Sequence, residues 1–261
     1  MTDRELVLLE RDGPVAWLTL NRPEARNALS LPTLLRLRVL LAELRRADDV
    51  WVVALTGAGD KAFCAGADLK ERRGLSEDQV RQFVQQIRGT MDDLAALPQP
   101  TVAVMNGHAF GGGCEMALAC DLRVLDRGAM IGLTETSLAI IPGAGGCVRL
   151  PRLIGSAKAK ELILMARRLE AREAEQLGLV NFLAPPGGAR SLGQEIVSAL
   201  LRNGPLALRA AKAAIDGSLD LPVASALEHE FACYQRILPT EDRLEALAAF
   251  GEKRPARFRG R

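Results

Sequence analysis

The residues best placed to do chemistry sit in one stretch, Gly107-His108-Ala109-Phe110-Gly111-Gly112-Gly113-Cys114-Glu115. The apolar run before it, residues 101–105, reads as a buried strand, and Met116-Ala117-Leu118-Ala119-Cys120 after it reads as a helix. Three consecutive glycines at such a junction cost backbone entropy, a cost that fits a main chain obliged to come close to something. Amides at a helix start point outward with partial positive charge. They suit an anion, or an oxygen that becomes anionic during a reaction. Glu115, one turn further in, adds a carboxylate able to hold or move a proton. On this stretch alone two readings stay open: an oxyanion site beside an acid/base group, or tight packing of strand against helix. The phosphate motifs are excluded, because the spacing is not G-x-G-x-x-G and no G-K-[ST] follows.

Other chemistries find little support. There is no G-x-S-x-G elbow and no H-E-x-x-H or other zinc spacing, so no metal is expected. The only histidines are His108, in the glycine stretch, and His229, in the C-terminal part. Carboxylates remain as the acid/base groups. A second stretch of small residues, Phe63-Cys64-Ala65-Gly66-Ala67-Asp68-Leu69-Lys70, either lets backbone approach a ligand or is an ordinary tight loop.

These sites must be carried by a chain of 261 residues, enough for one large domain or a core with a small appendage. A hydrophobic content of 48% with only 4% aromatic residues predicts an aliphatic core. Lys+Arg 34 against Asp+Glu 32 leaves a charge of +2, which demands neither nucleic acid nor a membrane as partner. Met1-Thr2-Asp3-Arg4-Glu5 lacks a signal-peptide pattern, and no apolar run reaches membrane-spanning length. Five cysteines without a C-x-x-C pair are expected to be buried free thiols in a reducing cytoplasm.

Residues 6–9 and 15–20 read as strands joined at Asp12-Gly13-Pro14, and residues 50–55 as a strand buried on both faces. Ser30 is placed to cap a helix carrying Leu34, Leu37, Leu41 and Leu44. Its Arg36, Arg38, Arg45 and Arg46 lie mostly off that stripe, as a solvated face or an RNA-binding one. Ser76 to Gln79 reads as a capping box before a helix that buries Val80, Phe83, Val84, Ile87, Met91 and Leu94. Short strands are expected at 122–125 and 130–131, a polar loop at Leu133-Thr134-Glu135-Thr136, and a glycine-rich turn at 140–146. Helices follow at 156–165 and 171–177. Pro185-Pro186-Gly187-Gly188 is the linker candidate before an all-helical section at 190–202, 206–215, 223–238 and 241–250, and a tail with Lys253, Arg254, Arg257, Arg259 and Arg261.

Ala65 to Lys70, Gly107 to Glu115, and Glu135 with Ile141-Pro142-Gly143-Ala144-Gly145-Gly146 together resemble the crotonase (enoyl-CoA hydratase/isomerase) superfamily over nearly the whole chain. The resemblance implies an α/β fold, a spiral of ββα units over residues 1–189, with a helical region at 190–261 that makes homotrimers or homohexamers. It implies a hydro-lyase that adds water syn across the 2,3 double bond of an enoyl-CoA, as in fatty acid β-oxidation or branched-chain amino acid breakdown. Coenzyme A would be part of the substrate and no separate cofactor would be needed. By that likeness the N–H groups of Ala67 and Gly112 form the oxyanion hole, Glu115 activates water, and Glu135 protonates the α-carbon. Ala65, Asp68, Leu69, Lys70 and Gly111 would line the substrate channel, and Lys253 would reach the CoA nucleotide. An isomerase of this family needs one acid/base group, near Glu135, so the pair favours hydration. Leu69-Lys70-Glu71-Arg72, residues 118–124 and residues 239–245 also resemble the branch containing methylglutaconyl-CoA hydratase, which binds RNA. Here the corresponding early helix carries arginines and no lysine, so an acyl-CoA rather than RNA is the expected partner.

Overall fold

The structure, a computed structural model, describes residues 5–261, so most of the opening segment tested above for a signal-peptide pattern lies outside the described residues. Two sheets organise the chain, and from the third strand to the eighth successive strands alternate between them. The large sheet has the order β1 (Val7–Asp12), β2 (Val15–Leu20), β3 (Val52–Gly57), β5 (Thr101–Met105), β7 (Leu122–Asp126), β10 (Phe182–Ala184). It is parallel from β2 onward, with β1 antiparallel at its edge. The small sheet has the order β4 (Ala62–Cys64), β6 (His108–Phe110), β8 (Met130–Gly132), β9 (Leu169–Glu170). Each repeat sends one strand to the large sheet, the next to the small sheet, and then a helix back. Thus β3–β4 precede α2 (Leu69–Arg72) and α3 (Glu77–Ala95), and β5–β6 precede α4 (Gly112–Ala119). Strands β7–β8 precede α5 (Gly146–Ile154) and α6 (Ser156–Leu164).

The apolar run of β3 explains its place at the middle of the large sheet. Val53 and Leu55 join the main core under α1 (Leu31–Arg45), α3 and α4, while Val52 and Ala54 join a second core on the other face. α1 is capped by Ser30 and buries Leu34, Leu37, Leu41 and Leu44. Ser76 and Gln79 close a capping box on α3. Of the six apolar residues expected to be buried on α3, Val80 and Val84 are only partly so, because they face a cavity.

Several elements were not evident in the sequence, β4, α2 and α5 among them. β6 runs through His108, the polar loop at Glu135–Leu138 is a 3-10 turn, and β9 and β10 are two and three residues long. Strands that short are held by their neighbours rather than by their own propensity. α5 begins on a glycine and contains Pro151, both signals against a helix. The proline falls in its second half, where few downstream turns depend on it. Four of the five free cysteines are buried and Cys147 is exposed.

After α7 (Ala171–Gln176) and the linker candidate, α8 (Ala189–Leu201) lays Ala189, Ile196 and Val197 on the second face of the large sheet. The boundary drawn at 189/190 falls at the start of this helix. α9 (Pro205–Ser218), α10 (Val223–Gln235) and α11 (Glu241–Gly251) make up the rest of the helical end. Thr240 caps α11. The tail folds back on α11: Arg254 pairs with Glu245, Arg261 with Glu241, and the N–H groups of Arg259 and Gly260 donate to Asp242 at 2.6 and 2.8 Å. No helix among the described residues is long and apolar enough to cross a membrane.

Candidate active site

Both readings of the glycine run hold, at different glycines. A Cβ on Gly113 would lie 2.1 Å from the Cys64 carbonyl oxygen, so Gly113 lets α4 pack against β4. Gly111 has φ 52°, and a Cβ there would lie 3.1 Å from Glu135 Oε1. Gly112 opens α4, so its N–H has no acceptor within the helix. A Cβ on Gly112 would point within 3.7 Å of the Ala67 nitrogen, so these two backbone donors border the same space.

The Ala67 loop is fixed by residues far earlier in the chain. Leu29 N–H donates to Gly66 O at 2.8 Å and Asp68 N–H to Leu29 O at 2.9 Å, which leaves the Ala67 N–H between them without a partner among the described residues. Arg22 Nη1 donates to Ala28 O and its Nη2 to Asp68 Oδ2, at 2.7 and 3.0 Å. Buried Asn27 donates to Ala58 O and Ala62 O, tying the same segment to β4. Arg22, just after β2, therefore helps to hold one of the two donor loops.

Glu115 is buried on α4, and its Oε1 accepts N–H bonds from Ala144 at 2.8 Å and Gly146 at 2.9 Å. Burial raises its pKa, while those two bonds and the charge of Arg149 oppose the rise. Arg149 is positioned by a bond of its Nη1 to Ala144 O and by Asp92. The Gly143-to-Gly146 turn is thus a cradle that orients one carboxylate. Glu135 opens the 3-10 turn, is buried, and has no partner for Oε2 among the described residues. Burial and the nearby charge of Glu115 push its pKa up to about 7. One carboxyl is held by fixed donors and the other is poised to gain or lose a proton near neutrality. Different environments set different acid/base roles for the same side chain.

The two glutamates face a cavity of about 590 Å³, which Ala65, Ala67, Leu69, Gly111 and Gly112 also line. The structure brings all of these sequence-identified residues together. Three others do not line it. Asp68 caps α2 by accepting from Lys70 N and Glu71 N and pairs with Arg22; burial alone would raise its pKa, but these partners lower it. Its role is structural, a correction to its place among the channel residues. Lys70 is exposed on α2 and Lys253 is exposed beyond α11. His108 Nδ1 accepts the Met130 N–H at 3.0 Å and its ring stacks on Phe110, which makes it part of the small sheet. Sequence reasoning missed Arg149, whose signal was its position three residues past Gly146, and the cavity wall formed by Val80, Val84 and Ile87. It also missed Arg72 in that wall. Ala65 borders a second cavity of about 480 Å³ that carries Arg26 and Lys61.

Two backbone donors can polarise a carbonyl oxygen and stabilise negative charge on it, and the two carboxyl groups can move protons beside it. The chain is similar to known proteins over nearly its whole length. Residues 10–261 match the family described as Enoyl-CoA hydratase/isomerase. YngF of Bacillus subtilis, named as an enoyl-CoA hydratase/isomerase, is 50% identical over 246 residues, 94% of this chain and 95% of its own. Human mitochondrial methylglutaconyl-CoA hydratase is 42% identical over 257 residues, 97% of this chain and 76% of its own. The crystal structure of an enoyl-CoA hydratase from Bacillus anthracis superposes with a TM-score of 0.97 at 46% identity, covering 98% of this chain and 100% of that one.

Proposed function

The chain belongs to the enoyl-CoA hydratase/isomerase family, with its crotonase spiral of ββα units, and we propose that it acts as the hydratase. The observation that carries this is the pair Glu115 and Glu135 in one cavity, the first cradled by Ala144 and Gly146, the second raised to about 7. The thioester oxygen sits between the N–H groups of Ala67 and Gly112. Ionised Glu115 holds a water and takes its proton as the oxygen attacks C3 of the enoyl group. Enolate charge grows on the thioester oxygen, where each donor contributes about 3 kcal/mol. Protonated Glu135 then gives its proton to C2, and both carboxyls return to their starting states through solvent. With both groups on one face of the double bond, addition is syn. No separate cofactor enters this route, because coenzyme A is part of the substrate. Arg26 and Lys61, in the neighbouring cavity, supply cations for its phosphates.

Glu115→Gln and Glu135→Gln keep side-chain shape and remove proton transfer, so each is expected to slow hydration of crotonyl-CoA by about 10²–10⁴-fold. Near-normal turnover by either variant, with fold confirmed by circular dichroism, would defeat its role. Isomerisation is the second reading, favoured by the near-neutral Glu135, which could carry a proton between two carbons by itself. A 3-enoyl-CoA separates them: an isomerase keeps its rate in Glu115→Gln.

RNA binding has less support. Arg36 is paired with Glu5, Arg38 with Asp93, and Arg45 donates to Ala96 O, so the basic face of α1 is largely engaged within the chain. A reducing compartment fits the free cysteines, although the human relative above is mitochondrial.

A further inference from the structure

We propose that Asp92 of α3 acts through Arg149 of α5 as a positioning pair for hydration, locking from outside the cavity the turn that holds Glu115. The inference deepens the reading above and rests on Glu115 being the group that activates water. Three of the four residues in Gly143-Ala144-Gly145-Gly146 are glycines, and glycine backbone is loose unless something fixes it. Yet the Ala144 and Gly146 amides sit 2.8 and 2.9 Å from one carboxylate oxygen. The peptide between these two donors carries the Ala144 carbonyl, and Arg149 Nη1 donates to that oxygen at 2.9 Å. The guanidinium also rests against Gly145, where a Cβ would lie 2.0 Å from Nη1. Ala144 is gripped on both sides, its N–H by Glu115 and its C=O by Arg149.

Arg149 is held in turn by α3. Its Nη2 donates to Asp92 Oδ1 at 2.8 Å. An ion pair with a half-exposed carboxylate adds little to stability, so the geometry it imposes is its larger contribution. α3 also touches the turn directly, since a Cβ on Gly143 would lie 3.1 Å from Val84 Cγ1. The helix whose Val80, Val84 and Ile87 line the cavity therefore braces the Glu115 cradle as well. The other oxygen of Asp92 lies 3.6 Å from exposed Arg88, one turn earlier on α3, which provides a control. Around Glu115 the further ionisable groups are Glu135, Cys114 on α4 and Cys147 on α5, with Cys64 on β4 and His108 on β6, two strands packed on α4. Burial raises the three thiols, which keeps them neutral. Arg149 is the cation that opposes the effect of burial on Glu115.

The test is steady-state hydration of crotonyl-CoA from pH 5 to 9, with fold checked by circular dichroism. Arg149→Met is expected to lower kcat about 10- to 100-fold with KM nearly unchanged, the size of a displaced reacting group. Its acid limb should move to higher pH, because Glu115 loses the charge that holds its proton affinity down, while the alkaline limb moves less. Arg149→Lys, which keeps the charge and loses the fork, should recover part of both effects. Asp92→Ala discriminates most sharply. If Asp92 anchors Arg149, the acid limb moves up as in Arg149→Met; if it acts only as a distant negative charge, the limb moves down and the proposal falls. Arg88→Met should leave the profile unchanged, and an effect as large as that of Asp92→Ala would overturn the assignment to Arg149. A kcat loss with an unmoved acid limb in Arg149→Met would also overturn it, since that is what a merely loosened fold would give. Carbon-13 NMR of carboxyl-labelled glutamate, with Glu115 assigned through Glu115→Gln, follows the same titration without turnover. If wild type hydrates nothing but the Glu115 titration moves up in Arg149→Met and Asp92→Ala, the hydratase reading fails and the positioning pair stands. If wild type hydrates and the titration stays put, the pair falls and the hydratase reading stands.

Discussion

α4 and α11 are both short helices, yet their surroundings are opposite. All of Gly112–Ala119 is buried, whereas α11 buries Asp242 and Ala249 and leaves Leu244 58%, Leu247 58% and Phe250 86% exposed. α4 packs against strands of both sheets and against α3 and α5 of its own chain. α9 and α10 pack on each other and present Ile215, Leu227 and Phe231 outward as well. The cavity is thus lined by residues of this chain, and the helical end offers an apolar surface of a kind that in soluble proteins marks an interface. Substitutions in the first should disturb geometry and rate, and those in the second should disturb assembly.

The sharpest way to break that contrast is Gly113→Ala. Its Cβ would meet the Cys64 carbonyl at 2.1 Å, so α4 must shift, costing about 1–3 kcal/mol. A shift of that order displaces the Gly112 N–H and Glu115 together, and turnover should fall roughly 100-fold. Thermal unfolding and crotonyl-CoA hydration measure both effects, and wild-type turnover in this variant would remove the claim that the cavity is rigidly set. At the other end, Leu247→Glu with Phe250→Glu should convert a trimer or hexamer to monomer in light scattering while circular dichroism stays native. A wild-type protein that is monomeric at micromolar concentration would contradict the proposed assembly.

The contrast extends to glutamates. Burial and Glu115 raise Glu135 to about 7, whereas the hydrogen bond from Arg254 lowers partly exposed Glu245 to about 2. Glu245 has the depressed value, so it stays ionised and paired at any assay pH and titrates only in strong acid. Glu135 must be protonated to deliver its proton. Hydration kcat/KM should therefore fall as pH rises through about 7, by up to about tenfold per unit well above it. On the acid side it should fall as Glu115, raised above the ordinary carboxylate range, gains a proton. A profile flat from pH 6 to 9 would show that Glu135 is not the proton donor.

The two regions also differ in how far the sequence discloses them. Regular elements were legible: continuous burial marked β3, leucine spacing marked α1, and Ser76 with Gln79 marked the start of α3. In the site, Gly111 to Glu115 was legible because glycines at a helix start have a backbone reason. Glu135 was not, since a glutamate in a polar loop looks like any other, and only resemblance selected it. The cradle of Ala144 and Gly146 lies 29 and 31 residues from Glu115, a pairing that no local pattern encodes. The basic tail misled in part, because a run of cations does not reveal that α11 supplies acids for Arg254 and Arg261.

Smaller effects refine the comparison at the helical end. Lys253 has no ion pair among the described residues, and Lys253→Ala should raise KM for CoA thioesters severalfold, the loss of one exposed charge contact, with less effect on kcat. Arg36→Ala with Arg38→Ala should leave both constants unchanged. Steady-state kinetics beside an AU-rich RNA shift assay decides. Silent Lys253→Ala kinetics, together with tight RNA binding lost in the arginine variant, would reverse the order of partners.

Hydration of crotonyl-CoA in heavy water, followed by proton NMR, tests the central claim most directly. The account predicts that the protein places a hydroxyl on C3 and one deuteron on C2, both on the same face of the former double bond. It also predicts that Glu115→Gln and Glu135→Gln each suppress this product. A wild-type protein that leaves crotonyl-CoA unhydrated, or adds the deuteron with no facial preference, would contradict it.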